Sequence, residues 1–433
     1  MDQCVLPQEI LDAIVDLSKD DSPTLQACSL ASRCLTQRTR VHLFYTILPR
    51  TDTRNDAMLN LLRSSPSLAT HIRRVGLSRL SEYNSKAFAA IIGLLIVPIH
   101  LEMNRVDWSS IPVYSANALC SRTYTSICLW NVQFSSFSEL AALLGSSTRL
   151  ESLTIVENES DTPKATCCDH QHSSSGPPVE HLELIDYDGC EYHILSGINS
   201  QRCPVSIKEL RSLEIMPRTM DYITQFKVLL KHAIMLKELK LTHPIDPMPL
   251  EGLPPLPISH LAKLTVKMPD YHFGYTQPID WWISNFENTD SNCALEEIHL
   301  HVYTEQDEYV GYAHHSEHEA VWDRVAQALS NRMPALRLME VEIAIDYSSA
   351  PAFRGVLPPP SVSYLMNNCI RGKLATLESR GITVEVAVKT PRCLRMYSFI
   401  ASNSSQSIFV KLRILQRRIP PRKMCNNLLE GLC

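Results

Sequence analysis

Glycine is scarce in this sequence, at 13 of 433 residues. Neither G-x-x-x-x-G-K-S/T nor G-x-G-x-x-G occurs. Both motifs use glycine to bring the backbone close to nucleotide phosphates. The sequence therefore argues against a nucleotide-binding enzyme of either type.

The sequence also has no excess of basic over acidic residues. The chain has 41 Lys and Arg against 46 Asp and Glu, for a formal net charge of -5 and an isoelectric point near 6.3. Proteins that bind a phosphate backbone usually carry a basic surface. We expect no nucleic-acid partner.

Neither a secretory signal nor a membrane span is visible. The first ten residues, MDQCVLPQEI, have no basic n-region and no apolar h-region. The longest apolar run, AFAAIIGLLIVPI at 87–99, contains Pro98 and is too short to cross a bilayer. We expect this run to be buried core, no membrane partner, and a cytoplasmic or nuclear location. The 14 cysteines are then expected as reduced thiols.

The N-terminal segment predicts three short amphipathic helices. Pro7 suits a first helical turn, and Ile10, Ile14 and Leu17 follow at helical spacing. Ser22 and Pro23 are typical of the start of a second helix, and the third follows it directly. Three helices this short cannot bury all their apolar residues against one another, so some apolar surface should remain for a partner.

The same segment resembles an F-box, in the form found at the N-termini of many fungal proteins. The matching residues are Leu6, Pro7, Glu9, Ile10, Ile14, Leu17, Leu25, Cys28, Leu30, Arg33, Arg38, His42, Leu43 and Phe44. Leu35 stands where many members have Trp. The resemblance implies that the helices dock onto a Skp-family adaptor and, through it, a cullin scaffold in an SCF ubiquitin ligase. The implied adaptor contacts are Leu6, Pro7, Glu9, Ile10, Ile14, Leu17, Leu25, Leu30, Leu35 and Phe44. The alternative is that the helices are an ordinary cap on a larger domain.

The body of the chain repeats short segments of the form L-x-x-L-x-[IVL]. They begin near residues 125, 150, 179, 210, 236, 261, 295 and 336, and TVEVAVKT at 383 is expected to be a final edge strand. The first six are 25 to 31 residues apart, close to the spacing of leucine-rich repeats. Helical segments precede several of them, such as 220–236 and 318–336.

This alternation predicts an α/β fold. We expect an F-box-like helical domain over 1–50, an irregular leucine-rich-repeat-like solenoid with a parallel sheet over 51–395, and a basic, disordered tail over 396–433. A general α/β domain with the same alternation is the alternative.

Alternate strand residues should point away from the core of such a solenoid, onto its concave face. The predicted contacts for a protein substrate are six of these residues: Glu238, Lys240, Lys263, Lys267, His299 and His301. Trp281 and Trp282, the one Trp pair, are added as a binding hot spot if they lie on the rim.

No motif predicts a catalytic, cofactor or metal site. CCDHQH at 167–172, with CEYH at 190–193, lacks the usual spacing of zinc ligands. HHSEHE at 314–319 lacks the H-E-x-x-H order of metalloproteases, and G-x-S-x-G is absent.

The F-box resemblance, together with the repeat pattern of the body, implies a substrate-recognition subunit of an SCF-type ubiquitin ligase, which is not itself an enzyme. The rivals are a solenoid interaction protein without a ligase role and an enzyme with a dispersed site. KLRILQRRIPPRK at 411–423, with six basic residues and no acid, is expected to be solvated, to contact an acidic partner, or to act as a nuclear signal.

Overall fold

A computed structural model gives the fold of the chain. It describes residues 6–48, 51–78, 86–156, 176–185, 205–217, 220–243, 253, 255–268, 277–305, 316–346 and 360–389. The predicted class is confirmed: the fold is α/β and is built on a parallel sheet.

The sheet has twelve strands whose spatial order is their order in the sequence. Every neighbouring pair is parallel. The strands are β1 (Thr46–Ile47), β2 (Arg74–Ser78), β3 (Ile99–Asp107), β4 (Tyr124–Gln133), β5 (Leu150–Val156), β6 (Val179–Ile185), β7 (Ser212–Ile215), β8 (Glu238–Thr242), β9 (Lys263–Met268), β10 (Glu297–Glu305), β11 (Leu338–Asp346) and β12 (Thr383–Lys389). The nine predicted strand segments are β4 to β12, and β1 to β3 were missed.

Helices connect many of the strands. They are α1 (Gln8–Leu17), α2 (Ser22–Ala31), α3 (Arg33–Leu43), α4 (Asp52–Ser64), α5 (Lys86–Leu94), α6 (Val113–Cys120), α7 (Phe137–Gly145), α8 (Met220–His232), α9 (Gln277–Glu287), α10 (Ser316–Arg332), α11 (Pro360–Lys373) and α12 (Ala375–Glu378). The predicted core run 87–99 forms α5 and enters β3, and its residues Phe88, Ile91, Ile92 and Ile99 are buried.

One face of the sheet holds the main core. In β8, Leu239 and Leu241 are buried, and they register with Leu264 and Val266 of β9. The same core contains the apolar sides of α5 and α7 to α10. Because strand side chains alternate, the residues between these positions lie on the opposite face of the sheet, which is called the open face below.

The three N-terminal helices lead directly into the sheet. Strand β1 follows α3 after two residues and pairs with β2. Ile47 is buried, and Phe44 packs against the main core. The first strand thus lies inside the predicted 1–50 domain, so the helices are joined to the sheet through a strand as well as through the chain.

Central core positions should dominate stability. Leu264 is fully buried between Leu239 and Ile298 on the neighbouring strands. Leu264→Ala should lower the free energy of unfolding by about 2–5 kcal/mol, because it leaves a cavity. Denaturant unfolding measures the change. The control is Ile234→Ala, at a residue that is 74% exposed, which should change stability by less than about 0.5 kcal/mol. Equal losses in both variants would contradict the assigned core.

Candidate functional site

An exposed apolar row runs along α1. Leu6, Ile10 and Ile14 are each about half exposed, and Leu17 is 89% exposed. The opposite side of the helix is held by Val15, which is fully buried. Spacings of three and four residues place the row on one side of the helix. Four aliphatic side chains are therefore left in contact with solvent, in the segment predicted to bind an adaptor.

Helix α2 adds Leu30, which is 88% exposed. Asp21 caps this helix, accepting a hydrogen bond from the Thr24 backbone N–H at 3.3 Å, whereas the sequence had pointed to Ser22 as the cap. We call Leu6, Ile10, Ile14, Leu17 and Leu30 the N-terminal apolar face.

The remaining predicted adaptor contacts divide into two groups. Pro7 and Glu9 are exposed at the start of α1. Leu25 is buried, which corrects its prediction as a surface contact, and Leu35 and Phe44 are half-buried. Their spacing alone could not separate the residues that hold the three helices together from those that face outward.

A charged group links α1 to α3. The Asp16 carboxylate accepts hydrogen bonds from Arg38 Nε at 2.6 Å and Arg38 Nη2 at 2.7 Å. His42 Nε2 lies 2.6 Å from the same carboxylate. These hydrogen bonds, from Arg38 first and then from His42, lower the pKa of Asp16 below its ordinary value near 3.8. The group sets the position of α1, and therefore the direction of its apolar row.

Neutralising Asp16 should loosen this link. The lowered pKa means that the ionised carboxylate stabilises the fold at neutral pH, and that this contribution is lost as the pH falls below about 4. Asp16→Asn should therefore speed amide hydrogen exchange in α1 at pH 7, with little change in β8 to β12. Asp12→Asn, on the same helix, is the control. Unchanged exchange in α1 would show that the Asp16 group does not hold the helix.

The open face of the sheet carries charged side chains in register. One row crosses β7 to β12 and consists of Glu214, Lys240, Thr265, His299, Glu340 and Glu385. A parallel row contains Glu238, Lys263 and Glu297. The structure thus brings the predicted strand residues of the substrate surface onto one face of one sheet.

Most of these charges are paired with one another. Lys240 Nζ lies 2.6 Å from Glu214, and Lys263 Nζ lies 3.5 Å from Glu297. His299 Nδ1 is 2.6 Å from Glu340. Opposite charges on neighbouring strands stabilise the sheet, whereas like charges directly opposite each other would destabilise it.

Lys267 lies on the predicted face but is only 8% exposed, which corrects its prediction as a surface contact. Its ammonium is 3.7 Å from Glu214, a carboxylate it shares with Lys240. Burial, and then the charge of Lys240, lower the pKa of Lys267 to about 8. Burial and the nearby Glu214 raise the pKa of Glu183. Desolvation thus disfavours both charges.

Removing the Lys267 charge should cost little. Lys267→Met keeps the chain length and leaves Glu214 paired with Lys240, so the free energy of unfolding at pH 7 should stay the same or rise. Lys240→Met should lower it, because Glu214 then loses its 2.6 Å partner. Denaturant unfolding compares the two variants. A loss above about 1 kcal/mol in Lys267→Met would contradict the burial argument.

A second apolar cluster lies on the open face, and the sequence did not reveal it. Val156, Ile185 and Met216 are buried beside the half-buried Trp130, apart from the main core. Val156 and Ile185 end their strands, and Met216 follows β7. The alternation of hydrophobic and polar residues breaks at these strand ends, which was the available signal.

The Trp pair is part of the core. Trp281 and Trp282 on α9 are 5% and 2% exposed, so their prediction as a binding hot spot is wrong for this structure. Trp282 Nε1 donates to His243 Nε2 at 2.9 Å. Full burial lowers the pKa of His243 to about 3. This neutral histidine accepts the indole hydrogen bond inside the protein.

The metal-like sequence motifs give no described site. Residues 167–172 and 190–193 lie outside the described residues. Of HHSEHE, residues 316–319 begin α10. Among the residues that the structure describes, no three His, Cys, Asp or Glu side chains are placed to hold a metal ion. In the same residues, no helix has the length and apolar character needed to cross a membrane.

Comparison with known proteins gives no family. No protein-family model matches the chain, and no curated protein sequence matches it significantly. The N-terminal apolar face and the open face therefore have to be interpreted from their own chemistry.

Proposed function

We propose that this chain is the substrate receptor of an SCF-type ubiquitin ligase. In this proposal the N-terminal apolar face binds a Skp-family adaptor, which connects to a cullin scaffold. The observation that carries it is the row of exposed aliphatic side chains on α1, in a segment whose ordered residues resemble an F-box.

The energetics favour a protein partner for the N-terminal apolar face. Leu17 and Leu30 are almost fully exposed, and burial of each aliphatic side chain is worth about 1.5–3 kcal/mol. Contiguous exposed apolar residues are typical of protein interaction sites. The row lies on a helix, so a partner could recognise it as a single rigid surface.

The open face is the proposed surface for the protein substrate. Its polar rows span β7 to β12 and include Lys240, Lys263 and His299 at half-buried positions. A receptor built this way needs no covalent step of its own. It holds the substrate and a charged conjugating enzyme in one assembly, and so raises their effective concentration. Such an assembly would operate in the cytoplasm or the nucleus.

One observation favours a second candidate function, in which the N-terminal helices are only a cap. Strand β1 pairs with β2, and Ile47 is buried in the main core. The N-terminal segment therefore supplies the first edge strand of the sheet, as a cap would. In this alternative the chain is an interaction protein with no role in a ligase.

Adaptor binding separates the two candidates. Ile10→Asp places a charge in the middle of the exposed row, and burying that charge against a partner is costly. The affinity for a purified Skp-family adaptor, measured by calorimetry, should fall by at least about 30-fold, as at a binding hot spot. The change should leave the melting temperature unaltered, because Ile10 is half exposed.

The matched control is Ile96→Asp, at a residue that is 71% exposed outside the N-terminal helices. It should bind the adaptor like the unaltered chain. If the unaltered chain shows no adaptor binding, the cap interpretation is favoured. If Ile10→Asp binds as tightly as Ile96→Asp, the N-terminal apolar face is not the docking surface.

A further inference from the structure

The open face becomes acidic over its last three strands. Among the side chains described on these strands there are four glutamates and only one lysine, Lys389. The glutamates are Glu297, Glu340, Glu342 and Glu385. They register across β10, β11 and β12, with Glu340 directly beside Glu385. Neighbouring strands lie about 4.8 Å apart, so these carboxylates are close enough to repel one another.

The pairing within this face leaves a surplus of negative charge. Lys389 Nζ is 2.5 Å from Glu342, and Lys263 of β9 is 3.5 Å from Glu297. The contacts of Glu340 and Glu342 with strand β10 are to histidines: His299 Nδ1 is 2.6 Å from Glu340, and His301 Nδ1 is 3.7 Å from Glu342. Four glutamates are thus matched by two lysines. Glu385 is exposed on the outermost strand. A positively charged extended segment would relieve the repulsion, and the half-buried Leu338 and Ala387 beside the glutamates offer it apolar contact.

The chain itself contains a segment of matching chemistry. Residues 411–423, KLRILQRRIPPRK, carry six basic side chains and no acidic one. In its first half, Lys411 and Arg413 alternate with Leu412 and Ile414. An extended backbone with this alternation presents cations on one side and aliphatic groups on the other.

The chain between β12 and the basic segment is long enough for that segment to reach the open face of β10 to β12. Strand β12 ends at Lys389, and 21 residues, 390–410, lie between it and the basic segment. An extended chain of that length reaches up to about 70 Å. The width of β10 to β12 is only about 10 Å. A tether of this kind gives an effective concentration in the millimolar range, so even a weak contact would be occupied.

We propose that residues 411–423 dock on the open face of β10 to β12 and compete with a protein substrate for it. The substrate class implied is a protein with a basic, extended segment, which would displace the chain's own. This inference rests on the proposed function for the identity of the competitor. The contact between the basic segment and the acidic strands does not depend on the adaptor.

The test uses full-length variants and a fluorescent synthetic peptide of residues 411–423 as the probe. In the tail-neutral variant, Lys411, Arg413, Arg417, Arg418, Arg422 and Lys423 are replaced by Gln. It should bind the peptide about tenfold more tightly than the unaltered chain, whose face is already occupied in cis. Equal affinities would overturn the proposal, including the case in which both chains bind the peptide well.

A second change locates the contact. Glu340→Gln with Glu385→Gln, added to the tail-neutral variant, should weaken peptide binding by about three- to tenfold, because two ion pairs are lost. The matched control is Glu151→Gln with Glu287→Gln, two exposed glutamates away from these strands, and it should bind like its parent. Equal effects of the two pairs would place the peptide elsewhere.

Cross-linking of the unaltered chain provides a test that does not require the variants to fold. A carbodiimide joins a carboxylate to an amine as an amide, with loss of one water overall. It should link Lys411 or Lys423 to Glu340 or Glu385. The Lys373–Asp323 pair, 3.0 Å apart, is the internal control. Formation of the control link without the tail links would overturn the proposal. Adaptor affinity, measured separately, reports on the proposed function alone.

Discussion

The structure depends on the in-register pairing of twelve parallel strands in the order of the sequence. Because each strand pairs with the next one along the chain, every repeat places its apolar residues on the core face at the same level. Leu239, Leu264 and Ile298 form one such level, and all three are fully buried. The same register fixes which side chains reach the open face. A one-residue slip in one strand would move its polar residues into the core.

This constraint explains why the open face is a continuous surface. Side chains distant in sequence, such as Glu214 and Glu385, stand in one row because the register carries them there. It also explains the pairing of charges, since glutamate and lysine on adjacent strands are only one strand spacing apart. The N-terminal apolar face lies outside the sheet, and the Asp16 group positions it through α3.

Much of the fold could be predicted from the period of the hydrophobic residues. That period gave β4 to β12, because short segments of the L-x-x-L-x-[IVL] type recur along the chain, and it gave α7, α8 and α10 among the helices between them. It missed β1, which has only two residues, and β2 and β3, whose sequences do not contain the L-x-x-L-x-[IVL] pattern although they follow the same spacing of 25 residues. Strand alternation also placed Lys240, Lys263, Lys267, His299 and His301 on the correct face.

Burial could not be predicted in the same way. Lys267 lies on the open face, yet it is only 8% exposed and its ammonium lies 3.7 Å from Glu214, on a strand that is distant in sequence. Trp281 and Trp282 are buried against His243, which follows β8 and is also distant from them in sequence. In the N-terminal helices, helical spacing identified the apolar residues, but only tertiary packing separated the buried Leu25 from the exposed Leu30.

The central claim is that the exposed row on α1 is a docking surface for an adaptor. Hydrogen exchange of the full chain, with and without a purified Skp-family adaptor, tests it most directly. The account predicts slower exchange in α1 and α2 on binding, with the strands β7 to β12 unchanged. Protection confined to the strands, or no protection anywhere at saturating adaptor, would contradict it.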